Sequence, residues 1–227
     1  MIPRDSYEII DTLIKQGRSF AIWRIPGEDR LHFRMQSAGS PCLLYDIKDL
    51  NERSGFVIAP FQVTAERPIV LIQPDCFEIP SESDWDFSRE KNEFPSNEIE
   101  IPSESEEKER YAYHFSLFTS PLLKGSQDKL VLSRSKTIRK DPSFSPGKAF
   151  FAAVERYIRS YVYLCHTPET GTWMGWTPEI LLSGEKGDWQ TVALAGTQSL
   201  RDGKLPKSWD HKNWREQQLV ASYIRRQ

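Results

Sequence analysis

Lys129 and Glu179 each stand as a lone ionisable side chain at the edge of an apolar run. The runs are Lys129-Leu130-Val131-Leu132-Ser133-Arg134 and Trp173-Met174-Gly175-Trp176-Thr177-Pro178-Glu179-Ile180-Leu181-Leu182, and both read as strands. A charge pressed against a sheet core is costly unless it is paired or used. An amine and a carboxyl group delivered by two such strands form a base and an acid that suit proton transfer on opposite sides of a small substrate. Taken singly, each has an ordinary explanation. A lysine at a strand edge commonly snorkels to water, and a strand-end glutamate commonly joins an ion pair.

A second carboxylate lies on the last helical stretch, from about Lys212 to the end. Glu216, Leu219, Val220 and Tyr223 recur at i, i+3, i+4 and i+7, which puts the carboxylate on the apolar stripe of its helix. A carboxylate there either finds a cation or shifts its pKa upward. Mg2+, held by one or two carboxylates plus substrate oxygens, is one candidate, and a salt bridge to a lysine or arginine is the other. Gly196, after the run Trp189 to Ala195, reads by itself as a turn glycine.

The elements that must position these residues follow from periodicity and turn chemistry. Tyr7 to Ile14, closed by Gly17, reads as a helix. Short β-rich runs follow at Ser19 to Ile25, Leu31 to Met35, Cys42 to Ile47, Gly55 to Phe61 and Pro68 to Ile72, separated by turns such as Pro26-Gly27-Glu28-Asp29. An antiparallel sheet is the natural reading. Residues 78–110 shift to Ser, Glu, Asp and Pro, with an echo of Glu78-Ile79-Pro80-Ser81-Glu82-Ser83 at Glu100-Ile101-Pro102-Ser103-Glu104-Ser105, and read as a solvated connection without a function of its own. Beyond it, Tyr113 to Leu117 and Lys129 to Ser133 are apolar-rich. A helix begins near Pro146, and strand-like runs cover Tyr161 to His166, Thr172 to Ser183 and Trp189 to Ala195. The expected class is α/β or α+β, with antiparallel sheets flanked by helices. The expected organisation is a strand-rich part at 1–77, an acidic connection at 78–110, and a domain at 111–227.

Composition narrows the functional classes. The chain has 227 residues, 38% hydrophobic, with a formal net charge of -2, which gives no reason to expect nucleic acid as a partner. Cys42, Cys76 and Cys165 are odd in number and lack C-x-x-C spacing, which argues for reduced thiols in a cytosolic protein. No signal-like apolar region opens the chain and no run approaches the roughly 20 apolar residues of a membrane span. A soluble cytoplasmic protein is expected. His32, His114, His166 and His211 are scattered, and no phosphate-binding glycine loop, H-E-x-x-H or zinc-spaced cluster occurs.

The segments KLVLSR, WTPEILL, ALAGT (Ala193 to Thr197) and KNWREQQLV (Lys212 to Val220), in this order, resemble the chorismate-binding enzymes, most closely the isochorismate synthases. The resemblance covers about Tyr111 to Gln227. It implies the family's fold, two interleaved halves with packed sheets, and assigns roles position by position. Lys129 would be the base that activates water, and Glu179 the acid that protonates the departing hydroxyl. The backbone of Ala195, Gly196 and Thr197 would hold a substrate carboxylate, and Glu216 would be an Mg2+ ligand. Water would add at C2 of the chorismate ring as the C4 hydroxyl leaves. Lys129 must be neutral to act as a base, which desolvation or a nearby cation favours.

Family members that add ammonia, the anthranilate and aminodeoxychorismate synthases, typically carry glutamine at the position of Lys129, so the lysine points to water. Salicylate synthase of the same family, which goes on to eliminate pyruvate, is the alternative, as is a non-catalytic remnant of the family. The resemblance places the product in menaquinone or siderophore biosynthesis. The last third of the family pattern, including a second metal-binding glutamate, is absent from the chain. The expectation is therefore a fragment inactive alone, self-associating through an incomplete core.

Overall fold

The computed structural model describes residues 6–81, 100–200 and 202–226. Among the described residues, four helices and three antiparallel sheets give an α+β fold, as the sequence leads one to expect. The chain divides into two units, each discontinuous: Met1–Ser96 with Pro142–Pro178, and Asn97–Asp141 with Glu179–Gln227.

The first unit is built around a four-stranded sheet in the order β2-β1-β6-β7. Its strands are β1 (Ser19–Arg24), β2 (Leu31–Gln36), β6 (Tyr161–Thr167) and β7 (Gly171–Thr177). The pleat sends alternate side chains to one face, so the register stacks them in rows: Phe20 beside Met35 and His166, and Ile22 beside Phe33 and Leu164. Helices α1 (Ser6–Lys15) and α3 (Pro146–Arg156) cover that face with Ile10, Leu13, Phe150 and Ala153. Each helix is amphipathic, and α3 is started by Ser145, whose side chain accepts the Lys148 N–H, with Pro146 in the first turn.

A three-stranded sheet in the order β3-β5-β4 completes this unit, with β3 at Cys42–Leu44, β4 at Phe56–Ile58 and β5 at Ile69–Ile72. Leu44, Ile69 and Leu71 form its core. A 3-10 turn, Ile47–Leu50, capped by Asp46, closes the end of β3. All three cysteines are free thiols, and burial pushes the Cys165 thiol up to about 12, so it is an inert packing group.

The second unit contains helix α2 (Glu104–Leu123), the hairpin β8 (Ser183–Glu185) and β9 (Asp188–Gln190), and helix α4 (His211–Arg226). Among its described residues Ala221 is the one buried side chain, whereas Leu123, Val131 and Leu181 are 83%, 76% and 93% exposed.

Several expected elements differ. Residues 82–99 of the acidic stretch lie outside the described residues, but its end is helical. Ser103 and Glu106 form a reciprocal capping box that starts α2, and the helix carries through Tyr113 to Leu117, which the sequence marked only as apolar-rich. Lys129 to Arg134 has the composition of a strand but pairs with none. β propensity becomes a strand only when a neighbouring ladder and a packed face are available. The run Thr172 to Ser183 breaks at Pro178, which cannot donate to a ladder, and of Trp189 to Ala195 only Trp189 and Gln190 are in a strand, β9.

Candidate functional site

The residues singled out by type and spacing fall in the second unit, on its coil segments and on α4. Lys129 lies in the coil after α2, Glu179 in the coil after Pro178, Ala195 to Thr197 in the coil after β9, and Glu216 in the second turn of α4. Three of these four positions come together. Lys129 Nζ donates a hydrogen bond to Glu216 Oε1 at 2.9 Å, with the side chains 29% and 36% exposed. The Gly196 backbone amide lies near the same carboxylate and adds the smallest of the effects that lower its pKa. Glu179 is exposed.

Helix geometry explains why Glu216 meets these partners. The half-buried positions of α4 are Asn213, Glu216, Gln217, Gln218, Leu219, Val220 and Ile224, with Ala221 buried. Glu216 belongs to the inward stripe as expected, but Tyr223 is 61% exposed and does not. The hydrogen bond from Lys129, and then its charge, hold the Glu216 carboxyl below the usual range. Partial desolvation opposes them, and Lys212 and the Gly196 amide assist. A cation does answer this carboxylate, and it is the lysine of the other motif.

The Ala195-Gly196-Thr197 turn is held against the start of α4 by Asn213, which the sequence reading passed over. Thr197 donates its N–H to Asn213 Oδ1 at 2.9 Å. Asn213 is fixed in turn by Asp210, which accepts the Asn213 N–H at 2.9 Å and its side-chain amide at 2.6 Å. These bonds from Asn213 hold the Asp210 carboxyl low. The signal was present as Asp210-His211-Lys212-Asn213, an aspartate just ahead of an amphipathic run. Gly196 has φ +78°, and a Cβ there would lie 2.7 Å from the Asn213 carbonyl oxygen, so both conformation and space call for glycine.

As a metal site the arrangement offers one carboxylate. Among the described residues no group of three or more His, Cys, Asp or Glu side chains gathers. Mg2+ keeps several waters and is commonly held by one or two carboxylates plus substrate oxygens. Glu216, 36% exposed and reachable from solvent, fits that mode and not an all-protein cage. Any such cation would share the carboxylate with Lys129. No helix among the described residues is long and apolar enough to cross a membrane.

No curated protein and no solved structure matches the chain. A family model described as chorismate binding enzyme does match it, over residues 52–227. The matched span contains the lysine, the two glutamates and the glycine turn, and it begins well before the first of them. With more than half of the sequence aligned to one family, and with two of the family-like motifs paired through Lys129 and Glu216, the chain belongs to the chorismate-binding enzymes.

Proposed function

We propose that this protein is an isochorismate synthase, converting chorismate to isochorismate by adding water at C2 and releasing the C4 hydroxyl. The observation that carries the reading is the Lys129–Glu216 pair with the Gly196 amide beside it. Residues far apart in the chain join there, with the types that such a reaction requires.

In the proposed reaction Lys129 takes a proton from water as the oxygen bonds to C2. The ring double bonds shift, the C4–O bond breaks, and Glu179 gives a proton to the departing hydroxyl, so that water is consumed and released in equal measure. Lys129 here donates its hydrogen bond to Glu216, so it must leave that carboxylate to serve as base. Ala195, Gly196 and Thr197 present backbone groups for a substrate carboxylate. Glu216 would supply one ligand to Mg2+, which when bound neutralises charge on the ring carboxylate.

The test is chorismate turnover with and without Mg2+, following isochorismate and salicylate by chromatography, on this chain and on the longest form of the protein that contains it. Mg2+-dependent isochorismate, falling by roughly 100-fold or more in Lys129→Met and in Glu179→Gln, is the expected result. Salicylate with pyruvate would move the assignment to salicylate synthase. No turnover in either form would overturn the catalytic reading.

A further inference from the structure

One side chain ties the glycine turn to the helix that carries Glu216, and the reaction proposed above gives it no part. Asn213 stands in the first turn of α4, three residues ahead of Glu216 and so on the same face of the helix. Its Oδ1 accepts the Thr197 N–H, and its Nδ2 donates to Asp210 Oδ2. The other Asp210 oxygen accepts the Asn213 backbone N–H, and the Asp210 carbonyl accepts the Trp214 N–H at 3.0 Å. The amide can face only one way. Turned over, it would set a nitrogen donor against the Thr197 donor and an oxygen against a carboxylate. Residues 191–200 are coil, so no β ladder holds the turn in place. Asn213 supplies what a ladder would.

We infer that Asn213 is a positioning residue for substrate binding, setting the place of the 195–197 turn relative to Glu216, and that Asp210 requires an amide at that position. The inference rests on the reaction proposed above. Groups that meet a substrate lose affinity when the side chains behind them leave them loose. An aspartate at 213 would still accept from Thr197, but it would lose the donor and face the Asp210 carboxylate across a contact now 2.6 Å long, where like charges repel. The double change Asp210→Asn with Asn213→Asp turns the pair round. One carboxylate and one amide again face each other, the helix start keeps an accepting oxygen at 210, and the Thr197 N–H keeps its acceptor.

Steady-state kinetics with chorismate and Mg2+, on the longest form of the protein that contains this chain, tests it, with circular dichroism as the check on folding. Asn213→Ala is expected to raise KM roughly 10-fold with kcat within about threefold of the parent, the pattern of lost binding with the chemistry intact. Asn213→Asp should raise KM further, and the double variant should bring it back to within about threefold of the parent. A merely structural role would lower the folded fraction and leave the KM of what folds unchanged. A parent that turns over no chorismate overturns the reaction proposed above and this inference with it. A parent that does turn it over, beside an Asn213→Ala variant with the parent's KM or a double variant no better than Asn213→Asp, overturns this inference alone.

Discussion

Glu216 meets a lysine in this structure, and in the proposed reaction the same carboxylate would also meet a metal cation. In the structure it accepts from Lys129, which draws its pKa down, and the nearby Gly196 amide adds a smaller lowering. The sign is that of a stabilised carboxylate: its contribution is complete above the ordinary value of 4.5 and is lost as pH falls through the lowered folded value. Both side chains reach solvent, so the pair is worth no more than about 1 kcal/mol. An NMR titration of the Glu216 carboxyl should therefore move upward in Lys129→Met, toward the usual glutamate range. A midpoint indifferent to the lysine would mean that the pair does not persist in solution. The individual residues were legible because each sits in a short recognisable motif. Their pairing was not, because it joins positions 87 apart and no local pattern names the partner.

Among the elements, the Ala195-Gly196-Thr197 turn makes the sharpest demand on the chain. Gly196→Ala would place a methyl group 2.7 Å from the Asn213 carbonyl oxygen while holding φ at +78°. The expected cost is about 1–3 kcal/mol, with loss of the Thr197–Asn213 contact, read as faster amide exchange at Thr197 and at the first turn of α4. A variant whose exchange matched the parent would show that the turn can adopt another backbone. The strands of the first unit were legible to within a few residues, because Gly and Pro punctuate them and their neighbours are close at hand. Lys129 to Arg134 was legible as apolar but not as coil. Strand formation depends on a ladder partner, and Leu130 and Val131 have no sheet to join here. The start of α2 was written as Ser103-Glu104-Ser105-Glu106, and the surrounding acidic composition hid the capping box.

At the scale of the molecule, apolar burial is concentrated in the first unit, and that unit also holds a titratable group deep in its sheet. His166 is 2% exposed, shares a hydrogen bond of 2.8 Å with Thr172 Oγ1, and burial pushes its pKa down to about 4. Folding therefore favours the neutral ring. Stability is complete above the unfolded value near 6.5 and is lost as pH falls from there toward 4. Between pH 7 and pH 4.5 this one group should remove about 2–3 kcal/mol. Urea unfolding of the first unit, followed by its buried aromatic residues, should show that slope, and His166→Gln should flatten it. An unchanged slope would place the pH sensitivity elsewhere. The same unit carries a consequence for its birth on the ribosome. β1 pairs with β2 within a hairpin, but its other neighbour, β6, is translated about 140 residues later. Until that strand has been synthesised, Phe20 and Ile22 face a half-built sheet whose open edge is available to any passing strand. The interval between those two events is when a nascent chain would depend on a chaperone.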